Sequence, residues 1–122
     1  MSLLRSLVIV PVLLGLLLPA HAAAQSASRW FLAEGASNGI FEQDILVANP
    51  GSAPVTVTVK LLPDATATLA PGTVLTKTYL LGATNRLTVR VATEFAGLSG
   101  AASAEVSAVV QNSTTPADIV VE

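Results

Sequence analysis

Apolar and polar positions alternate in several short runs along the chain. From Val55 to Leu61 the odd positions Val55, Val57, Val59 and Leu61 are apolar, while Thr56, Thr58 and Lys60 are polar. A period of two is the pattern of a strand with one buried and one solvated face. Leu87, Val89 and Val91 alternate with Arg86, Thr88 and Arg90 in the same way, and Ala104, Val106, Ala108 and Val110 alternate with Glu105, Ser107 and Gln111. Arg29 to Gly35, Phe41 to Ala48 and Leu75 to Leu81 supply further strand-length segments. In the second of these, Phe41, Ile45 and Val47 are expected to face inward, with Glu42 and Asp44 outward. In the third, Leu75, Tyr79 and Leu81 share a face with Lys77. Either the lysine reaches out along the rim of the sheet or a bulge shifts the register.

Turn residues separate these runs. Asn49-Pro50-Gly51-Ser52 suits a type II turn with Pro50 and Gly51 at its centre, because proline presets φ and glycine accepts a positive one. Pro63-Asp64, Pro71-Gly72, Gly82 to Asn85 and Gly97 to Gly100 mark further breaks. The alanine-rich stretch Ala96 to Ala104 is interrupted by Gly and Ser and reads as a loop rather than a helix. The pattern predicts an all-β fold: an immunoglobulin-like antiparallel β-sandwich of six to seven short strands, with a small closed barrel as the competing architecture. Ile119 to Glu122 reads as the start of a last strand. Three explanations fit: a short edge strand that discourages aggregation, a fragment of a longer reading frame, or an open edge where another chain adds a strand. The last makes self-association through the C-terminal edge strand an expectation.

The N-terminus has a different character. Arg5 precedes an apolar run to Leu18, Pro19 breaks it, and Ala20-His21-Ala22 and Ala22-Ala23-Ala24 offer small-x-small cleavage sites. The run is shorter than the roughly 20 residues needed to cross a bilayer. Residues 1–24 are therefore read as a signal peptide, 25–28 as a short linker and 29–122 as the β-sandwich domain. No later stretch is apolar and long enough to span, so a secreted or extracellular protein is expected, at the cell surface or in a periplasm, with no membrane span after cleavage.

Composition then removes much of chemistry. There is no cysteine, so the sandwich has no disulfide to rely on, and the one histidine, His21, departs with the leader. The mature chain lacks the groups for a Ser-His-Asp triad, a cysteine nucleophile, or a thiolate or imidazole metal site. A formal net charge of −2 with scattered basic residues offers no footprint for nucleic acid. Glu42 and Asp44, two apart, fit a solvated face better than a carboxylate pair holding a hard cation. The chain is read as no enzyme and without cofactor. Candidate contact residues are Trp30 and Phe95, as stacking platforms for a polysaccharide, and Arg86 and Arg90, outward on one strand, which meet either acidic neighbours or a partner. For Trp30 a place in the core competes and is preferred in a chain so poor in aromatics. Contacts are expected from the loops Gly35 to Gly39, Pro63 to Gly72 and Glu94 to Gly100. Asn112-Ser113-Thr114 matches the N-glycosylation pattern.

Trp30 to Gly35, Phe41 to Gly51, Val55 to Leu62, Thr76 to Tyr79, Arg86 to Val91 and Glu105 to Val110, in that order, resemble a repeat module of large exported bacterial surface proteins. Such modules run from an Ala-Glu-Gly start through Leu-Ala-Asn-Pro to Arg-Leu-Thr-Val and Glu-Val-Ser strands. Lys77 stands where they usually carry arginine. The resemblance implies a structural or adhesive surface module, contacting other extracellular proteins or polysaccharide, and supplies no catalytic residues.

Overall fold

Seven strands and one helical turn succeed each other along the described residues: β1 (Arg29–Ser37), β2 (Asp44–Ala48), β3 (Val55–Pro63), β4 (Leu75–Leu81), β5 (Arg86–Arg90), α1 (Val91–Glu94), β6 (Gly100–Val110) and β7 (Val120–Val121). The structure is a computed structural model that describes residues 26–70 and 72–122. The signal peptide expected at residues 1–24 lies outside them. Every strand pairing is antiparallel, in a four-stranded sheet of order β1-β6-β3-β4 and a three-stranded sheet of order β5-β2-β7. The sandwich architecture is the one expected. Its strand order differs from the ABED/CFG arrangement of immunoglobulin constant domains.

The core follows the alternation. Val55, Val57, Val59 and Leu61 of β3 and Ala104, Val106 and Ala108 of β6 cluster with Ile45 and Val47 of β2, Val89 of β5 and Val121 of β7. Each large aliphatic side chain fully buried in this way contributes about 1.5–3 kcal/mol relative to exposure. That burial, rather than any cross-link, holds the sheets together.

Three sheet edges carry features that discourage further pairing: β1 has a register shift between Leu32 and Gly35, β4 aims the charged Lys77 along its inner face, and β5 presents Arg86 and Arg90. The β3–β4 register is unbroken from Val55–Leu81 to Leu61–Leu75, so no bulge repositions Lys77 and its stem runs out along the rim.

Several local expectations need correction. Phe41 is 63% exposed and, with Glu42, precedes β2, which begins at Asp44. β5 ends at Arg90, and Val91, though buried as its parity requires, opens the helical turn. Gly100 to Ala104 already belongs to β6 rather than to a loop. The Asn49–Ser52 reversal is no type II turn, because the positive-φ glycines are Gly39, Gly72, Gly97 and Gly100, not Gly51. Ala27 and Ser28, expected as linker, are hydrogen-bonded into the fold: Ala27 exchanges backbone bonds with Ile119, and the Ser28 carbonyl accepts from the Ala108 N–H.

Candidate functional site

The three segments expected to make contacts leave the sheets at one end of the sandwich. Register fixes this: Ser37 lies opposite Gly100, Pro63 opposite Ala102, Leu61 opposite Leu75 and Asp44 opposite Arg90. The β1–β2, β3–β4 and β5–β6 connections therefore emerge together. Two of them are laced to each other. The Thr68 N–H donates to the Ser99 carbonyl (2.9 Å), the Thr68 hydroxyl to the Gly97 carbonyl (2.9 Å), and the Ser99 N–H to the Thr68 hydroxyl oxygen (3.2 Å). Asp64 holds the bend before them. Its carboxylate accepts from the Thr66 hydroxyl and N–H, bonds that depress its pKa below the ordinary aspartate value. The third loop joins through the Gln43 carbonyl, which accepts from the Val91 N–H at 3.0 Å.

That third loop carries the most exposed apolar residues of this end. The Asn38 side-chain oxygen accepts from the N–H groups of Ile40 (3.1 Å) and Phe41 (3.0 Å), closing a tight turn with Gly39 at φ +80°. Ile40 is left 84% exposed and Phe41 63%. Alternation misassigned Phe41 because it counted parity back from Ile45 through residues that are not in a strand. The Asn38-Gly39 pair is the sequence signal that would have corrected it.

The four residues singled out in the sequence are not brought together. Trp30 is half-buried against the core, and its indole N–H donates to the Ala27 (3.1 Å) and Ile119 (2.9 Å) carbonyls, closing the side of the sandwich where β1 and β7 meet. Phe95 is only 4% exposed, so it is no stacking platform. The helical turn that lets the Phe95 N–H reach the Val91 carbonyl carries its ring inside, where the Lys77 ammonium stands 5.6 Å from the ring centroid. Lys77 also pairs with Glu94 at 3.2 Å, and the Tyr79 hydroxyl makes a longer contact, 3.4 Å, to the same carboxylate oxygen. Burial, then the Glu94 charge, pushes the Tyr79 phenol up to about 12.

Arg86 and Arg90 are exposed on the outer face of β5, as expected, and neither makes an ion pair with a described residue, although Asp44 lies opposite Arg90 in the ladder. Arg86 borders a shallow groove of about 210 Å³ with Leu46, Ala48, Thr88, Val120 and Glu122. One exposed aromatic was missed entirely. Phe31 is 71% exposed on the outer face of the four-stranded sheet. Since neighbours on a strand point to opposite faces, placing Trp30 inward should have placed Phe31 outward.

The fold and these surfaces define a small all-β sandwich with a loop-bearing end. No protein-family model matches the chain, and no curated protein does. Among solved structures it is similar to the Anabaena sensory rhodopsin transducer, with a TM-score of 0.57 and 16% sequence identity over 83% of this chain and 98% of that one. That likeness establishes the fold alone.

Proposed function

We propose that the chain is a secreted, non-catalytic interaction module that makes its contacts at the loop end of the sandwich. The observation that carries this reading is the loop end itself: three connections, two of them cross-linked by the Thr68 bonds, with Ile40 and Phe41 exposed on an Asn38-capped turn beside them. Two adjacent apolar side chains exposed on an Asn38-closed turn suit a partner's apolar patch. The N-terminal leader pattern supports an extracellular setting, and the loss of the single histidine with it supports binding over turnover. The partner class is another surface or extracellular protein.

The test is adhesion of the purified sandwich to intact cells of the producing strain, compared with an Ile40→Ser/Phe41→Ser variant of equal thermal stability. Saturable binding lost in the variant supports the reading. Equal binding by both, or none by either, overturns it.

A further inference from the structure

The outer face of the four-stranded sheet carries a polar band with an aromatic residue at one end. In register across the strands, Phe31 of β1 lies opposite Glu105 of β6, Glu105 opposite Lys60 of β3, and Lys60 opposite Thr76 of β4. The adjacent row reads Arg29, Ser107, Thr58 and Thr78. Four strands at about 4.8 Å spacing make the band roughly 14 Å long, enough for two or three sugar rings end to end.

A solvated sheet face calls for polar side chains, but it does not call for a phenyl ring 71% exposed among them. The charged groups beside it are also incompletely engaged. One oxygen of Glu105 stands 3.6 Å from the Arg29 Nε and 3.6 Å from the Lys60 Nζ. Both contacts are too long for hydrogen bonds, so the carboxylate, the guanidinium and the ammonium keep donor and acceptor capacity for a ligand. An apolar ring face flanked by a carboxylate, two cations and hydroxyls matches a sugar, which has a C–H face to stack and hydroxyls that both donate and accept. It does not match a peptide strand, because the band runs across the strands rather than along an edge.

We propose that Phe31, Arg29, Glu105 and Lys60 form a saccharide subsite for a β-linked polysaccharide laid across the outer face of the four-stranded sheet, Phe31 stacking on one ring and the charged trio binding its hydroxyls. The subsite stands on a different face from the loop end, so the two readings fail independently.

The experiment is retention of the purified sandwich on insoluble cellulose, chitin and peptidoglycan, measured for the wild type and for Phe31→Ala, Phe31→Trp, Glu105→Gln and Ile40→Ser/Phe41→Ser, with a thermal melt of each. Expected is retention of the wild type on at least one of the three, weakened tenfold or more by Phe31→Ala and severalfold by Glu105→Gln. Phe31→Trp and the loop variant should bind as the wild type does. Because Phe31 is outward-facing, its substitution leaves the core intact, and Phe31→Trp controls for a folding defect. No wild-type retention on any of the three, or retention unchanged in Phe31→Ala, overturns the proposal.

Discussion

The Asn49 side chain donates from its amide nitrogen to the Gly82 carbonyl at 3.0 Å, tying the β2–β3 connection to the β4–β5 connection 33 residues later. The same amide donates to the Ala53 carbonyl (2.9 Å), its oxygen accepts from the Gly51 N–H (2.9 Å), and the residue is 2% exposed. A backbone bond from the Asn49 N–H to the Asn85 carbonyl, and one from the Thr84 N–H to the Gly51 carbonyl, complete the tie. The Asn-Pro-Gly reversal is thus held by its asparagine rather than by a positive φ at its glycine.

Removing that amide deletes three hydrogen bonds made by a buried side chain to partners that water can reach, exposed Gly51 and Ala53 and half-buried Gly82. Asn49→Ala should cost about 1–3 kcal/mol, since each such bond contributes about 0.5–1.5 kcal/mol net and water restores part of the loss. Asn49→Asp places a carboxylate against two carbonyl oxygens, which raises its folded pKa above the unfolded value. Its stability relative to wild type should therefore be better at low pH and be lost as pH rises through the carboxylate range, about 4 and upward. Urea unfolding at acid and neutral pH checks both, and an Asn49→Asp variant equally stable at the two would refute the assignment.

The architecture was legible wherever alternation was long. Val55 to Leu61 and Ala104 to Ala108 gave their buried faces correctly because a central strand must hide one side of every residue pair. Legibility failed at segment ends. Phe41 and Val91 obey parity by sequence, yet one lies in a turn closed by Asn38 and the other opens a helical turn. A period carries no information about where the strand stops. Of the candidate residues, Arg86 and Arg90 were placed outward correctly, because they alternate with the apolar Leu87 and Val89, whereas charge alone would have misplaced Lys77 on edge strand β4. The preference for a core place for Trp30 agrees with its packing, half-buried against the core, whereas Phe95, offered as a stacking platform, is buried. An aromatic ring is compatible with either face, and both rings are placed by packing on a core assembled from residues distant in sequence. Phe31 was recoverable from Trp30 by parity.

Glycine positions that look alike in sequence should respond differently. Gly100 has φ +124°, and a Cβ there would stand 2.6 Å from the Ala67 Cα and 3.0 Å from the Thr66 carbonyl oxygen, both backbone atoms that cannot swing aside. Gly97 has φ +97° with nothing within 4 Å. Gly97→Ala should show backbone strain alone, about 1 kcal/mol, whereas Gly100→Ala adds the displacement of the Thr66–Ala67 backbone and should cost about 2–4 kcal/mol. Equal losses in thermal melts of the two variants would mean that the β3–β4 loop does not pack on β6 as described.

The last prediction concerns Tyr79, the single tyrosine of the chain, whose ionisation can be followed by phenolate absorbance without overlap from another tyrosine. Its midpoint should lie near 12, against about 10 in the unfolded chain. Burial is the larger cause and the Glu94 carboxylate the next, so Glu94→Gln should lower the midpoint without returning it to the unfolded value. Between the two pKa values the unfolded chain releases a proton that the folded one keeps. The contribution to stability is therefore fully present below about pH 10 and is lost as pH rises towards 12. Tyr79→Phe should flatten that alkaline loss while leaving the Lys77–Glu94 ion pair in place. A titration midpoint near 10 in the folded protein would instead place the phenol in open solvent and remove Tyr79 from the rim cluster.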